Sequence, residues 1–595
     1  MTTRRDLLAA AGALAAGPAL AQAPAAPPTV RGVLDGLGQE ALDRSPETVT
    51  SFGLDKGDRA GAKRELDDRS LIAREDDRTR RRRQLAALEA AARRGEASPD
   101  GASLAVALYT WRRNVADDRR FRDGGGPGGP YVLSQLNGAY QSVPDFLDSQ
   151  HAIATREDAD AYLARLGALA AALDQEVEAV RHDASVGLVP PDFALEKALT
   201  QLRTLRDQPA SQATLVQSLV RRTRAAKLSG EWERPAAAIY EAQVRPALDR
   251  QIALLTALRP NAVHDAGVWR LPDGPAFYAA SLESQTSTTL TPAQVHRQGL
   301  ELVAGIGAEL DRLFRGQGLS QGAPGARLRA LFADPRFLYP NDDAGKARLI
   351  ADANLKVQAV QARLPQWFGV LPKAPVQIRR VPPAIELGAS SNYVNGALDG
   401  SRPGSYYINL RDTAELPRWL LPTLCFHEAI PGHHMQISIQ QEADPPLFRL
   451  MLGNNAYVEG WALYAEQLAD EMGLYADDPF GRIGYLHDAL LRAVRLVIDT
   501  GLHDQRWSRE RAVRYFADTL GDPESAAVSE VERYAVWPGQ ACGYMVGKLD
   551  FLRLRERARA RQGARFDIRR FHDAVLTSGS MPLAVLDRVV ERALA

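Results

Sequence analysis

Apolar residues recur at spacings of three and four over most of positions 31–370, as in 159–180 and 194–206. That period constrains the fold more than any other feature of the chain. It marks helices that each bury one stripe, and such helices must pack against one another. Thr291-Pro292-Ala293-Gln294 reads as a helix start, with threonine as N-cap, proline in the first turn and glutamine three residues after the cap. No internal repeat of roughly 20–50 residues stands out, so a solenoid is not expected. The exception to the helical pattern is 405–410, Ser405-Tyr406-Tyr407-Ile408-Asn409-Leu410, short and β-prone behind Pro403-Gly404. The expected fold class is therefore mainly α, with a small β element just ahead of the most informative helix. The 595 residues, 45% hydrophobic and 25% charged, suffice for a large core and exclude disordered and low-complexity classes.

The chain opens with Arg4-Arg5, then a broken apolar stretch, then Ala21-Gln22-Ala23. This is the order of a signal peptide with a small-x-small cleavage site, and the Arg pair resembles a twin-arginine export signal. Residues 1–23 are expected to be removed, leaving a periplasmic or secreted protein. No later apolar run is long enough to span a bilayer, so no membrane insertion is expected after cleavage. The 73 basic and 73 acidic residues cancel, which argues against a nucleic-acid partner. Two cysteines exclude a disulfide scaffold and a four-cysteine metal site, and Cys425 and Cys542 are expected as buried free thiols. The Gly124–Pro130 stretch lacks the Lys-Ser/Thr of a phosphate cradle and reads as a loop. Arg80 to Arg83 read as a solvated helix face.

Ten histidines occur in the chain, and three of them fall within His427-Glu428-Ala429-Ile430-Pro431-Gly432-His433-His434. Clustered imidazoles with neighbouring carboxylates suit zinc. The spacing is not the usual two histidines one helical turn apart, because Pro431 stands at that position. On an ideal helix the sixth residue onward is turned by about 240°, and the seventh lies about 10.5 Å up the axis. Neither reaches a shared ion with bonds of about 2 Å. The helix must be distorted between the ligands, and Pro431-Gly432 supplies the means. A two-residue insertion pairs His427 with His433, while a different bulge selects His434; the Gly-His juncture favours His433. Downstream, Glu459 and Glu466 lie seven apart on one face of an expected helix, among apolar and aromatic neighbours. Glu459 is the better third ligand, and Glu466 is placed to buttress a histidine.

His427 to Gln436 (HEAIPGHHMQ), Glu459 to Glu466 (EGWALYAE), Arg495 to His503 (RLVIDTGLH) and Arg533 to Gln540 (RYAVWPGQ) resemble the signature blocks of the bacterial domain-of-unknown-function family 885. That family is similar to the helical zinc peptidases that include thimet oligopeptidase and bacterial metallocarboxypeptidases. The resemblance implies a two-lobed helical fold with a deep cleft, His427 and Glu459 as ligands, Glu428 as base and Gly432-His433 at the Gly-His juncture. The longer histidine spacing departs from those peptidases.

The chemistry expected of such a site is hydrolysis. A zinc held by His, His and Glu keeps a water and lowers its pKa toward 7. Glu428 is the candidate general base. Tyr544, Tyr534 and His503 are candidate oxyanion donors; Tyr544 ranks first, and His503 has Asp499 one turn before it as an orienting carboxylate. Arg495 and Arg533 are suited to clamping a substrate carboxylate, though ion pairs within the fold are the commoner use of such residues. The strand near 406–410 is a candidate for pairing with an extended peptide. The expected organisation is an N-terminal helical lobe at 24–280 and a catalytic lobe at 281–595. The expected function is an exported, zinc-dependent hydrolase of short peptides, with one Zn2+ per chain. The alternatives are a metal-dependent amidase or esterase acting on a small non-peptide substrate, and a catalytically inactive envelope binding protein.

Overall fold

The computed structural model describes residues 29–93, 100–383, 386 and 391–594. The expected signal peptide, residues 1–23, lies outside the described residues. The described chain is mainly α, with one small sheet. The helix expected after Thr291 runs Pro292–Gly316. Its capping box is complete: the Gln294 amide donates to Thr291 Oγ1 at 3.3 Å, and the Thr291 amide donates to Gln294 Oε1 at 2.8 Å. The Gly124–Pro130 stretch is a loop. Arg80 to Arg83 lie on the helix Leu71–Arg93, where Arg81 pairs with Asp118 and Arg83 with Glu40.

Buried apolar residues form two large clusters. One, drawn from 133–255, includes Tyr162, Leu199, Leu219 and Tyr240. The other combines the first helices, through Leu34, Leu88 and Val106, with residues from Ala266 to the C-terminus. The opening of the chain therefore shares a core with the half that carries the histidine cluster. Among the described residues no helix is long and apolar enough to cross a membrane.

The sheet has strands β1 (Gln377–Arg380), β2 (Asn392–Val394) and β3 (Ser405–Ile408), in the order β1-β3-β2. β1 runs parallel to β3, with Ile378 opposite Tyr406, and β2 runs antiparallel, with Tyr393 opposite Tyr406. Both edges of β3 are thus taken. The strand expected to receive a peptide is the central one, and the free edges belong to β1 and β2.

Six helices follow and build the site. α1 (Leu421–Glu428) ends where the sequence places its Pro-Gly, and α2 (His433–Glu442) begins after it. α3 spans Asn455–Glu471, α4 Pro479–His503, α5 Glu524–Val536 and α6 Gln540–Gln562. α4 is the central helix, buried on every side from Ile483 to His503 save Leu491. Its charged residues Asp488, Arg492, Arg495 and Asp499 are all buried, so each requires a partner. α3 and α6 cross in near backbone contact through Gly460 and Gly547. A Cβ on Gly547 would stand 1.8 Å from the Ala456 carbonyl oxygen. Only glycine permits that approach.

Candidate metal centre

The break between α1 and α2 answers the spacing problem. α1 closes with the Ala429 amide bonded to the Cys425 carbonyl at 3.0 Å. The chain then turns through Ile430, Pro431 and Gly432 before α2 starts. A Cβ on Gly432 would lie 1.8 Å from the His427 carbonyl oxygen, so the turn can fold back on α1 only with glycine there. Trp461 on α3 donates its indole N–H to the Pro431 carbonyl at 3.0 Å and pins the turn. The distortion brings the rings of His427 and His433 to 4.8 Å, nearly perpendicular at 88°.

Glu459 completes the group. Its Oε2 lies 3.6 Å from His427 Nε2 and 3.4 Å from His433 Nε2, and the three ligand atoms fall within 4.8 Å of one another. Tetrahedral zinc with bonds of about 2.1 Å places its ligand atoms about 3.4 Å apart. The donor set, two imidazole nitrogens and one carboxylate oxygen, fits that ion in chemistry and in spacing. Burial raises the Glu459 carboxyl's pKa, but the two histidines outweigh burial and hold it well below the ordinary value.

Behind this face His427 Nδ1 meets Glu466 Oε1 at 2.7 Å. That contact assigns the Nδ1 proton to Glu466 and leaves Nε2 free for a metal. Glu466 is fully buried, and burial together with Asp488 pushes its carboxyl up to about 7. Asp488 pairs in turn with Arg492, one turn further along α4. Residue patterning does carry this line of charge: 488, 492, 495 and 499 repeat at four, three and four along an otherwise apolar helix. The sequence reading singled out Arg495 and Asp499 but missed Asp488 and Arg492.

Other expected residues fall in different places. Glu428, at the end of α1, is partly exposed beside His427, and no protein hydrogen bond occupies its carboxylate among the described residues. Tyr544, on α6, has its ring 6.5 Å from that of His427 and inclined by 19°. Its hydroxyl accepts from Arg533 Nη2 at 3.3 Å. His434 is not part of the cluster. Its Nε2 donates to the Ala374 carbonyl at 2.9 Å, and its Nδ1 faces the Tyr393 hydroxyl at 3.0 Å. One residue past His433, it points to the sheet side of α2 and ties that helix to β2.

His503 is also removed from the cluster. Its Nδ1 accepts from the Val268 amide and its Nε2 donates to the Tyr534 carbonyl, both at 3.0 Å. Burial lowers its pKa to about 4, so it stays neutral and structural. Asp499 does not orient it. Its carboxylate instead accepts from the Gly539 amide at 3.0 Å and from the Tyr278 hydroxyl at 2.6 Å. Tyr534 donates to Glu530 at 2.6 Å, which leaves Tyr544 as the candidate donor nearest the ligands. Cys425 and Cys542 are free and buried.

Comparison with known proteins agrees with this architecture. A crystal structure described as a putative lipoprotein from Colwellia psychrerythraea superposes with a TM-score of 0.89 at 33% identity, covering 95% of this chain and 99% of that one. A second solved structure, described as a putative lipoprotein of unknown function from Shewanella oneidensis, shares the fold with a TM-score of 0.69 at 17% identity over 94% of this chain and 99% of that one. No curated protein matches. Residues 46–590 match the family described as bacterial protein of unknown function, DUF885, and the chain belongs to that family.

Proposed function

We propose that the protein is a zinc-dependent hydrolase that cleaves short peptides. The observation that carries this reading is the convergence of His427, His433 and Glu459, with ligand atoms within 4.8 Å, beside a glutamate whose carboxylate is not committed elsewhere. A zinc held by these three residues supplies Lewis acidity and a bound water of pKa near 7. Glu428 sits next to a ligand, where it takes a proton from the attacking water and returns it to the leaving amine. Tyr544 stands over His427 with a hydroxyl suited to donate to a developing oxyanion. Glu466 holds His427 in the tautomer that keeps Nε2 unprotonated.

The cell envelope is the proposed location. The Arg4-Arg5 leader pattern and the descriptions of the two similar solved structures as putative lipoproteins both support it. The test is hydrolysis of a panel of short peptides alongside simple amides and esters. Peptide cleavage is expected, lost on chelation and restored by zinc. Glu428→Gln should keep its metal and lose about 10²–10⁴-fold in kcat. Turnover untouched by Glu428→Gln or by chelation would refute the mechanism. Cleavage of only the esters or non-peptide amides would transfer the site to that class of substrate.

A further inference from the structure

Beside the proposed metal centre, two arginines share one carboxylate. Arg495 donates to Glu530 Oε2 through Nη2 at 2.7 Å and through Nε at 3.2 Å. Arg533 reaches the other oxygen of Glu530 through Nη1 at 3.4 Å. Arg492 is matched separately by Asp488. The Arg495–Arg533–Glu530 group therefore carries one positive charge in excess, with the Arg495 side chain 6% exposed and that of Arg533 19% exposed. An unmatched charge in such a place is costly unless an anion joins it.

The unused donors belong to the same two side chains. Arg495 Nη1 and Arg533 Nε are buried and have no hydrogen-bond partner. Both guanidiniums bracket Tyr544: Arg495 Cζ lies 4.6 Å over its ring, and Arg533 Nη2 donates to its hydroxyl. The same ring lies 6.5 Å from that of His427. An anion held here is one tyrosine ring away from a proposed metal ligand.

We infer that Arg495 and Arg533 form a subsite for a substrate carboxylate, so that the preferred substrates carry a free carboxylate within a residue or two of the bond cleaved. Planar guanidinium donors match a carboxylate's geometry, and the excess charge supplies the attraction. This inference deepens the hydrolase reading and rests on it for the word substrate. The carboxylate comes either from a peptide's C-terminus or from an acidic side chain.

The test is isothermal titration calorimetry on the full chain carrying Glu428→Gln, so that the peptide is not consumed. The probes are N-acetyl-alanyl-alanine, its C-terminal amide and N-acetyl-alanyl-glutamic acid α-amide, whose only carboxylate is on the side chain. The free acid should bind roughly 10- to 100-fold more tightly than the amide. Arg533→Gln should erase that gap, and Arg533→Lys should keep part of it, with circular dichroism checking the fold of each. Should Arg533→Gln fail to fold, the partial loss in Arg533→Lys carries the test. Tight binding of the glutamate probe assigns the subsite to side chains, and weak binding assigns it to C-termini. Affinity for both carboxylate probes no higher than for the amide, no measurable binding of any probe, or a carboxylate preference unchanged in both Arg533 variants would overturn the inference. A carboxylate preference without metal-dependent turnover would sink the hydrolase reading and leave the subsite standing.

Discussion

At the scale of single residues, neighbours in sequence take opposite roles. His433 faces Glu459 while His434 is held by Ala374 and Tyr393. The grouping of His427 with Glu459 and its contact with Glu466 were legible because both depend on helical spacing and a local excess of histidine. The choice between His433 and His434 was not, because it depends on how the chain turns at Gly432, and no periodicity encodes that turn. His503 misled for a related reason: Asp499 lies one turn away, but Gly539 and Tyr278, distant in sequence, claim its carboxylate. Its structural role gives a prediction. His503→Ala leaves the Val268 amide and the Tyr534 carbonyl unpaired and should cost about 2–4 kcal/mol at neutral pH, by chemical denaturation. The penalty should shrink as pH falls from about 6.5 toward 4. In that window the unfolded imidazole takes a proton that the folded one, with its pKa lowered to about 4, refuses, so the wild type loses stability the variant never had. A constant penalty, or a loss of bound metal in a folded variant, would contradict this assignment.

At the scale of elements, the helical pattern was legible from residue spacing and the site geometry was not. The Thr291 cap and the short strand before α1 follow from local rules. The position of β3 between two partners could not, since pairing joins segments separated in sequence. Nor could the crossing of α3, which carries Glu459, with α6, which carries Tyr544, through a contact between Gly460 and Gly547. Gly547→Val inserts atoms where a Cβ alone would meet the Ala456 carbonyl oxygen at 1.8 Å, and it should destabilise by about 3 kcal/mol or more and reduce metal retention. Gly305→Ala is the control. It lies exposed in the helix Pro292–Gly316 with nothing within 4 Å of an added Cβ, and should stabilise by about 0.5–1 kcal/mol. Thermal unfolding of the two variants checks both, and equal effects would refute the role given to the crossing.

At the scale of the whole molecule, two large apolar clusters imply two cooperative units, only one of which holds the proposed metal ligands. Calorimetry should resolve two transitions, and a chelator should lower the one belonging to the larger core while leaving the other in place. A single transition, or an equal shift in both, would show that the clusters unfold together. The measurement that bears most directly on the central claim is metal content by elemental mass spectrometry on purified, folded protein. About one zinc per chain is expected in the wild type and in His434→Ala, and little in His433→Ala or Glu459→Ala. A folded wild type that takes up no stoichiometric metal when zinc is offered, or a full complement in Glu459→Ala, would contradict it.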